Sequence, residues 1–125
     1  MNKLITTQNA PTPIGPYSQA VLAKGTLYMS GQIAINPKDG ELKTETIEKE
    51  TRQVMSNIEA VLIAAEMSWK DVVKCSIFLS EMDNFAEVNT IYAEYFRTNP
   101  PARETVEVSK LPKGVNVEIS CIAVK

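Results

Sequence analysis

Asp71-Val72-Val73-Lys74-Cys75-Ser76-Ile77-Phe78-Leu79 is the stretch on which the fold turns. The residues after Asp71 are rich in β-branched and apolar side chains and read as a strand. Strand alternation puts Val73, Cys75, Ile77 and Leu79 on one face, and Val72, Lys74, Ser76 and Phe78 on the other. Helical periodicity flanks this strand on both sides. Upstream, Ile47, Val54, Ile58, Val61, Leu62 and Ala65 form one apolar stripe and predict a helix over 46–65. Thr46 can cap its N-terminus, and Glu48 and Glu50 suit the positive end of its dipole. Downstream, a second helix is expected from Asp83-Asn84, where Asn84 and Glu87 have capping-box spacing. Its stripe is Phe85, Val88, Tyr92, Tyr95 and Phe96, and Pro100-Pro101 stops it.

Further out, the pattern turns to strands. Residues 8–16, with Pro11, Pro13, Gly15 and Pro16, predict an extended loop after a short first strand. Val21-Leu22 and Leu27-Tyr28-Met29-Ser30 flank Lys24-Gly25 as a hairpin. Asn36-Pro37-Lys38-Asp39-Gly40 has the chemistry of a turn. Thr105-Val106-Glu107-Val108 predicts a strand, Leu111-Pro112-Lys113-Gly114 a turn, and Val115 to Val124 a last strand. On that strand Val117, Ile119, Cys121 and Ala123 share one face. The order is ββ(β)-α-β-α-β-β. Two helices suffice to cover one face of one sheet. The other face carries Val72, Phe78, Ile122 and Val124 beside polar residues, and a partly apolar uncovered face predicts a homo-oligomer.

The 125 residues fit a single domain over 1–125. A domain of this size buries enough surface to fold without a disulfide or metal. The net charge of -2 argues against nucleic acid or an anionic membrane as main partner, since both demand a basic face. Lys110, Lys113 and Lys125 are scattered and form no basic stripe. No run is long and apolar enough to span a membrane, and Met1-Asn2-Lys3-Leu4 does not read as a leader, so a cytoplasmic location is expected. Cys75 and Cys121 lie in apolar strand-like runs and read as buried thiols. The chain has no histidine. That removes Ser-His-Asp and Cys-His nucleophile systems, most zinc sites and the usual general base near neutrality. Any catalysis falls to carboxylates, Arg, Lys, Tyr, hydroxyls, backbone groups or water.

Arg103, after Pro100-Pro101-Ala102, is either a rigidly presented guanidinium that grips a carboxylate, or a surface residue paired with Glu104 or Glu107. Glu118, mid-strand, is either solvated or sits in a partly desolvated pocket where its raised pKa suits proton transfer. Tyr17 and Ser18 follow Ile14-Gly15-Pro16 at a stiff turn and either line a pocket or pack. In Ser30-Gly31-Gln32, Gly31 either admits a ligand close to the backbone or marks a bulge. Asn89 lies at the edge of the second helix's apolar stripe, and Trp69 reads as a partly buried aromatic.

Five segments together carry a resemblance: Ile14-Gly15-Pro16-Tyr17-Ser18-Gln19, Ser30-Gly31-Gln32-Ile33, Phe85-Ala86-Glu87-Val88-Asn89, Pro101-Ala102-Arg103, and Leu111-Pro112-Lys113-Gly114-Val115 with Val117-Glu118-Ile119. In order and spacing, across essentially the whole chain, they resemble the Rid/YjgF family of imine deaminases. Because it has the Arg, the chain is similar to the 2-iminobutanoate/2-iminopropanoate deaminase branch. The resemblance implies a chorismate-mutase-like (broadly ferredoxin-like) α+β fold: a single sheet with two helices on one face. It implies a homotrimer around a central barrel, with sites in the clefts between subunits. It implies hydrolysis of reactive 2-imino and enamine acids, released by pyridoxal-phosphate enzymes such as threonine dehydratase, to 2-keto acids and ammonia. No cofactor and no metal are implied.

On the same resemblance, Arg103 pairs with the substrate carboxylate and Glu118 holds and activates the attacking water. Tyr17, Ser30, Gly31 and Asn89 line the pocket, and the backbone of Thr105 hydrogen-bonds the ligand. Two departures from the family's common pattern stand out. Glu104-Thr105 stand where many members have Ser-Cys, and Glu66 stands where the first helix often ends in Gly. The rival reading is a non-catalytic trimer that binds a small carboxylate and regulates a partner. A ribonuclease, suggested for some relatives, fits poorly with the missing histidine and the lack of a basic groove.

Overall fold

The structure, a computed structural model, describes residues 2–125. Its strands are β1 (Lys3–Ile5), β2 (Ala20–Ala23), β3 (Thr26–Met29), β4 (Val72–Leu79), β5 (Ala102–Glu107) and β6 (Val117–Val124), and its helices α1 (Ile47–Ala64) and α2 (Phe85–Ala93). The six strands form one mixed sheet in the order β1-β2-β3-β6-β4-β5. β4 and β5 run parallel and the other neighbours antiparallel. β3 and β4 both lie antiparallel to β6, so α1 and α2 each serve as the crossover of a β-α-β unit. The chain is thus α+β, with the predicted element order and a single sheet.

The core lies between the helices and one sheet face. Val54, Ile58, Val61 and Leu62 of α1 and Val88 and Tyr92 of α2 pack on Leu27, Ile77, Leu79, Ile119, Cys121 and Ala123. Each such aliphatic side chain contributes about 1.5–3 kcal/mol by leaving water. Cys75 and Cys121 are buried free thiols and directly opposed partners on β4 and β6. Burial pushes Cys121 up to about 12, which keeps it protonated. The Lys24-Gly25 hairpin forms as read, with φ of 51° and 81°. Two successive positive φ angles make the tight turn that suits the strand twist.

Two local expectations are corrected. A bulge in β4 between Val72 and Lys74 shifts the alternation, burying Val72 and exposing Val73. The extra residue is invisible to a period-two reading. The capping box at Asn84 does not form. A 3-10 turn over Met82–Asn84 runs straight into α2, so Asn84 is already helical and its side chain caps nothing. Glu50 lies in the first turn of α1 as read, and there it is fully buried. Its carboxylate accepts from the Asn116 and Val117 backbone N–H groups at 2.7 and 3.0 Å and from Asn116 Nδ2 at 2.8 Å. Thr46 caps α1 as expected, through Lys49 N at 3.0 Å.

The other sheet face is uncovered. Strand register aligns Leu4, Val21, Tyr28 and Ile122 in one row across β1, β2, β3 and β6. Leu4 and Tyr28 are 64% and 52% exposed, far more than core residues of their type, and Val106 and Val124 add to the apolar area.

Candidate active site

β5 is an edge strand, and its register on β4 sets Arg103 opposite Cys75 and Thr105 opposite Ile77. Cys75 and Ile77 are core residues, so Arg103 and Thr105 lie on the helix side of the sheet. There α2 meets them. Asn89 Oδ1 accepts from Arg103 Nη1 at 2.8 Å. The guanidinium carbon lies 5.0 Å from the Tyr92 ring centroid and 5.6 Å from that of Phe85. Two aromatic rings and one amide therefore hold the guanidinium through its faces and one nitrogen, leaving its other donors free. Among the described residues no carboxylate pairs with Arg103. Glu104 instead takes Lys74 at 2.9 Å and the Ser76 hydroxyl on the opposite face. The Ser76 bond, with Lys74 beside it, holds its carboxyl below the ordinary value. Glu107 accepts from Met82 N at 2.7 Å. The ion-pair reading of Arg103 is thus excluded within the chain.

Glu118 lies elsewhere. Its partner on β4 is Phe78, which puts it on the uncovered face, at the end of β6 nearest the 11–17 loop. There a cleft of about 350 Å³ is lined by Tyr17, Ser30, Gly31, Ile33, Pro112 and Glu118, among others. Glu118 is half-buried, and burial pushes its carboxyl above the ordinary value near 4.5. A β-carbon at Gly31 would stand 2.4 Å from Glu118 Oε2 and 2.7 Å from its carboxyl carbon. The missing side chain of Gly31 is the space that the Glu118 carboxylate occupies.

The cleft's outer wall is equally determined. Gln19 is buried and donates from Nε2 to the Thr7, Ala10 and Pro11 carbonyls, while its Oε1 accepts from Thr7 N at 2.7 Å. That clamp pins the Pro-rich loop, and the Tyr17 hydroxyl accepts from Ile14 N at 3.2 Å. The Ser30 hydroxyl donates to Ser18 O at 2.6 Å, which ties the cleft floor to the loop.

The seven residues singled out from sequence therefore fall into two groups. Tyr17, Ser30, Gly31 and Glu118 come together in the cleft, and Asn89, Arg103 and Thr105 come together beside α2. The sheet separates the groups: Arg103 and Glu118 are on opposite faces of it. Sequence reasoning missed Phe85 and Tyr92 as the guanidinium's seat. Their 3.6-residue spacing marked them as core, and only the proximity of β5 to α2 gives them a second role.

A family model described as endoribonuclease L-PSP matches residues 7–125. A RutC family protein of Pyrococcus horikoshii is 52% identical over 100% of this chain and 99% of its own length. The 2-iminobutanoate/2-iminopropanoate deaminase of Bos taurus is 42% identical over 100% of this chain and 91% of its own. The solved structure of E. coli TdcF with bound serine superposes with a TM-score of 0.94 at 36% identity, covering 98% of each chain. With the whole length matched in sequence and in fold, the chain belongs to the Rid/YjgF family, whose domain model carries the endoribonuclease L-PSP description.

Proposed function

We propose that this protein hydrolyses 2-imino acids to 2-keto acids and ammonia, at sites each shared by two copies of the chain. The observation that carries the reading is a guanidinium seated by Asn89, Tyr92 and Phe85 with free donors and no anion. Such a group is prepared for a carboxylate, which it binds with two parallel hydrogen bonds. Glu118 supplies the complementary chemistry, since burial raises its carboxyl above the ordinary value and so makes it a stronger base for taking a proton from water. Because the two groups face opposite sides of one sheet, one substrate reaches both only if a second chain brings its Glu118 cleft to the first chain's Arg103. The exposed row Leu4, Val21, Tyr28 and Ile122 supports such contact, and the family resemblance supports a homotrimer.

The step balances as follows. Arg103 holds the carboxylate of R–C(=NH2⁺)–COO⁻. Glu118 takes a proton from water as its oxygen bonds to C2 and the C=N π pair moves to nitrogen. The carbinolamine nitrogen then receives that proton from Glu118. The C–N bond breaks, ammonia leaves with the bonding pair, and Glu118, again a carboxylate, takes the hydroxyl proton as C=O forms and passes it to the ammonia, which departs as ammonium. Asn89, Tyr17, Ser30 and Gly31 shape the site, and the backbone of Thr105 binds the ligand. Imines hydrolyse unaided, so orientation and one proton-transfer group, each able to contribute ~10²-fold or more, suffice. No step calls for a metal or cofactor, and the cytoplasm, where pyridoxal-phosphate enzymes release such imines, is the proposed location.

A second reading is favoured by one observation: the solved structure of TdcF is one with bound serine. On that reading the trimer senses a small carboxylate and regulates a partner. Ammonia and keto-acid release from freshly generated 2-iminobutanoate decides between them. The deaminase reading expects turnover that Arg103→Ala abolishes. Binding without turnover in the parent overturns it in favour of the sensor.

A further inference from the structure

We propose that Glu50 is a positioning residue for Glu118: its carboxylate stands in for the strand that β6 lacks where the cleft opens, and so fixes the backbone that carries the Glu118 side chain. This rests on the reading of Glu118 as the base and extends it to a buried acid that never meets the substrate.

The starting point is a gap in the sheet. β3 ends at Met29, and its last pair with β6 is Tyr28 with Ile122. Among the described residues one isolated bridge continues the pairing. Gln32 N bonds Ile119 O at 2.8 Å, and Ile119 N bonds Gln32 O at 3.1 Å. The chain then turns away to pair Ile35 with Leu42. Alternate N–H groups of a strand point to the same edge, so Val117 N–H faces the edge where Ile119 N–H meets Gln32. There Glu50 Oε2 takes it at 3.0 Å, together with Asn116 N at 2.7 Å, while Oε1 takes Asn116 Nδ2 at 2.8 Å. Glu118 is the residue between the two tethered N–H groups.

A carboxylate with no exposed surface in a helix's apolar stripe is costly even when its lone pairs are filled. Methionine would pack a similar volume, but it offers the two backbone N–H groups no comparable acceptor. Asn57, two turns along α1 and also fully buried, does the same for the other margin of the gap. Its Nδ2 donates to Ile33 O and Ile35 O, at 3.0 Å each. The Glu118 carboxylate has no slack to absorb a shift of its strand, because it fills the space that a side chain at Gly31 would need. Of the residues lining the cleft only Tyr17 also titrates, so the midpoint of Glu118 reports how deeply its carboxyl is held.

Glu50→Met and Glu50→Gln test this, with 2-iminobutanoate as substrate, 2-oxobutanoate as the calorimetric probe and carboxyl carbon-13 NMR to titrate Glu118. Glu50→Met should keep the parent's assembly mass and melt lower, as any loss of buried bonds requires. Its kcat should fall about tenfold or more, with KM and 2-oxobutanoate affinity within about twofold, because Arg103 lies on the other face of the sheet. The Glu118 midpoint should drop toward 4.5 as the carboxyl relaxes into water. Glu50→Gln keeps an oxygen for both backbone N–H groups and should hold kcat within about threefold and leave the midpoint in place. A lower melting temperature with kcat and midpoint unchanged overturns the proposal and leaves Glu50 to the fold alone. So does a loss of affinity in step with kcat, or a Glu50→Gln that fails while melting like the parent. Amide exchange in the parent needs no variant, and fast exchange at Val117 overturns the proposal even if Glu50→Met does not fold. The deaminase reading fails separately: in a parent that turns over no imine, the Glu118 midpoint still decides this inference.

Discussion

Arg103 is distinguished by what leaves it alone. Thirteen Lys and Arg residues balance fifteen Asp and Glu, yet this guanidinium meets an amide and two rings and no acid. Arg103→Lys keeps one positive charge but loses the planar fork. The expected result is a ten- to hundredfold fall in kcat/KM for 2-iminobutanoate with unchanged circular dichroism. Gly31→Ala forces the Glu118 carboxylate out of its place, because the new methyl carbon would overlap it. The variant should lose kcat while the fold survives, as Gly31 is exposed. The raised Glu118 pKa has two consequences of opposite use. The proposed mechanism uses the base form, so on that mechanism kcat/KM should fall as pH drops through a midpoint above 4.5. For stability the folded chain holds this proton more tightly than the unfolded one, so Glu118 subtracts stability as pH rises through its raised pKa. Glu118→Gln should therefore melt no lower than the parent at neutral pH while turning over at least ~10²-fold more slowly. At this scale the sequence named both charged residues only through their motif surroundings. It could not separate a seated Arg from a paired one, because partners as distant in sequence as Asn89, Tyr92 and Phe85 are not written in local pattern.

Among the elements, α1 does more than cover the sheet. Glu50 reaches from its first turn to the N–H groups that open β6, two residues before Glu118. Glu50→Ala would strand three donors, the Val117 N–H fully buried and the two of Asn116 partly so. A loss of about 3 kcal/mol is expected in urea denaturation. At its other end the helix stops on Glu66 with φ 59°, and Met67 N bonds Leu62 O at 2.8 Å. Where the family's first helix often ends in Gly, this chain makes a left-handed stop without a glycine. Glu66→Gly should stabilise the chain by up to about 1 kcal/mol, read as a higher melting temperature. Existence and order of elements were legible because periods of two and 3.6 are local. Boundaries were less so: β5 begins at Ala102, before the 105–108 segment read as strand, and β6 begins at Val117. The parallel pairing of β4 with β5, which alone brings Arg103 under α2, depends on a crossover and leaves no local mark. The polar residues Glu50, Thr51 and Asn57 of α1 are fully buried, which a hydrophobic stripe cannot announce.

For the whole molecule, the proposed shared site ties activity to contact through the uncovered sheet face. Tyr28→Glu puts a charge in the middle of its apolar row. Analytical ultracentrifugation should then report a mass lower than the parent's, with activity lost although Arg103 and Glu118 are untouched. Retained activity in a monomer would overturn the shared-site reading. The placement of Arg103 and Glu118 on opposite faces also reaches into inheritance. Arg103→Ala and Glu118→Gln each damage one face and spare the other. Unfolded together and reassembled at random, such chains would place an intact Arg103 against an intact Glu118 at about a quarter of their junctions in a closed ring. Two dead alleles carried in one cell should therefore rescue each other, whereas a site contained within one chain would give no rescue.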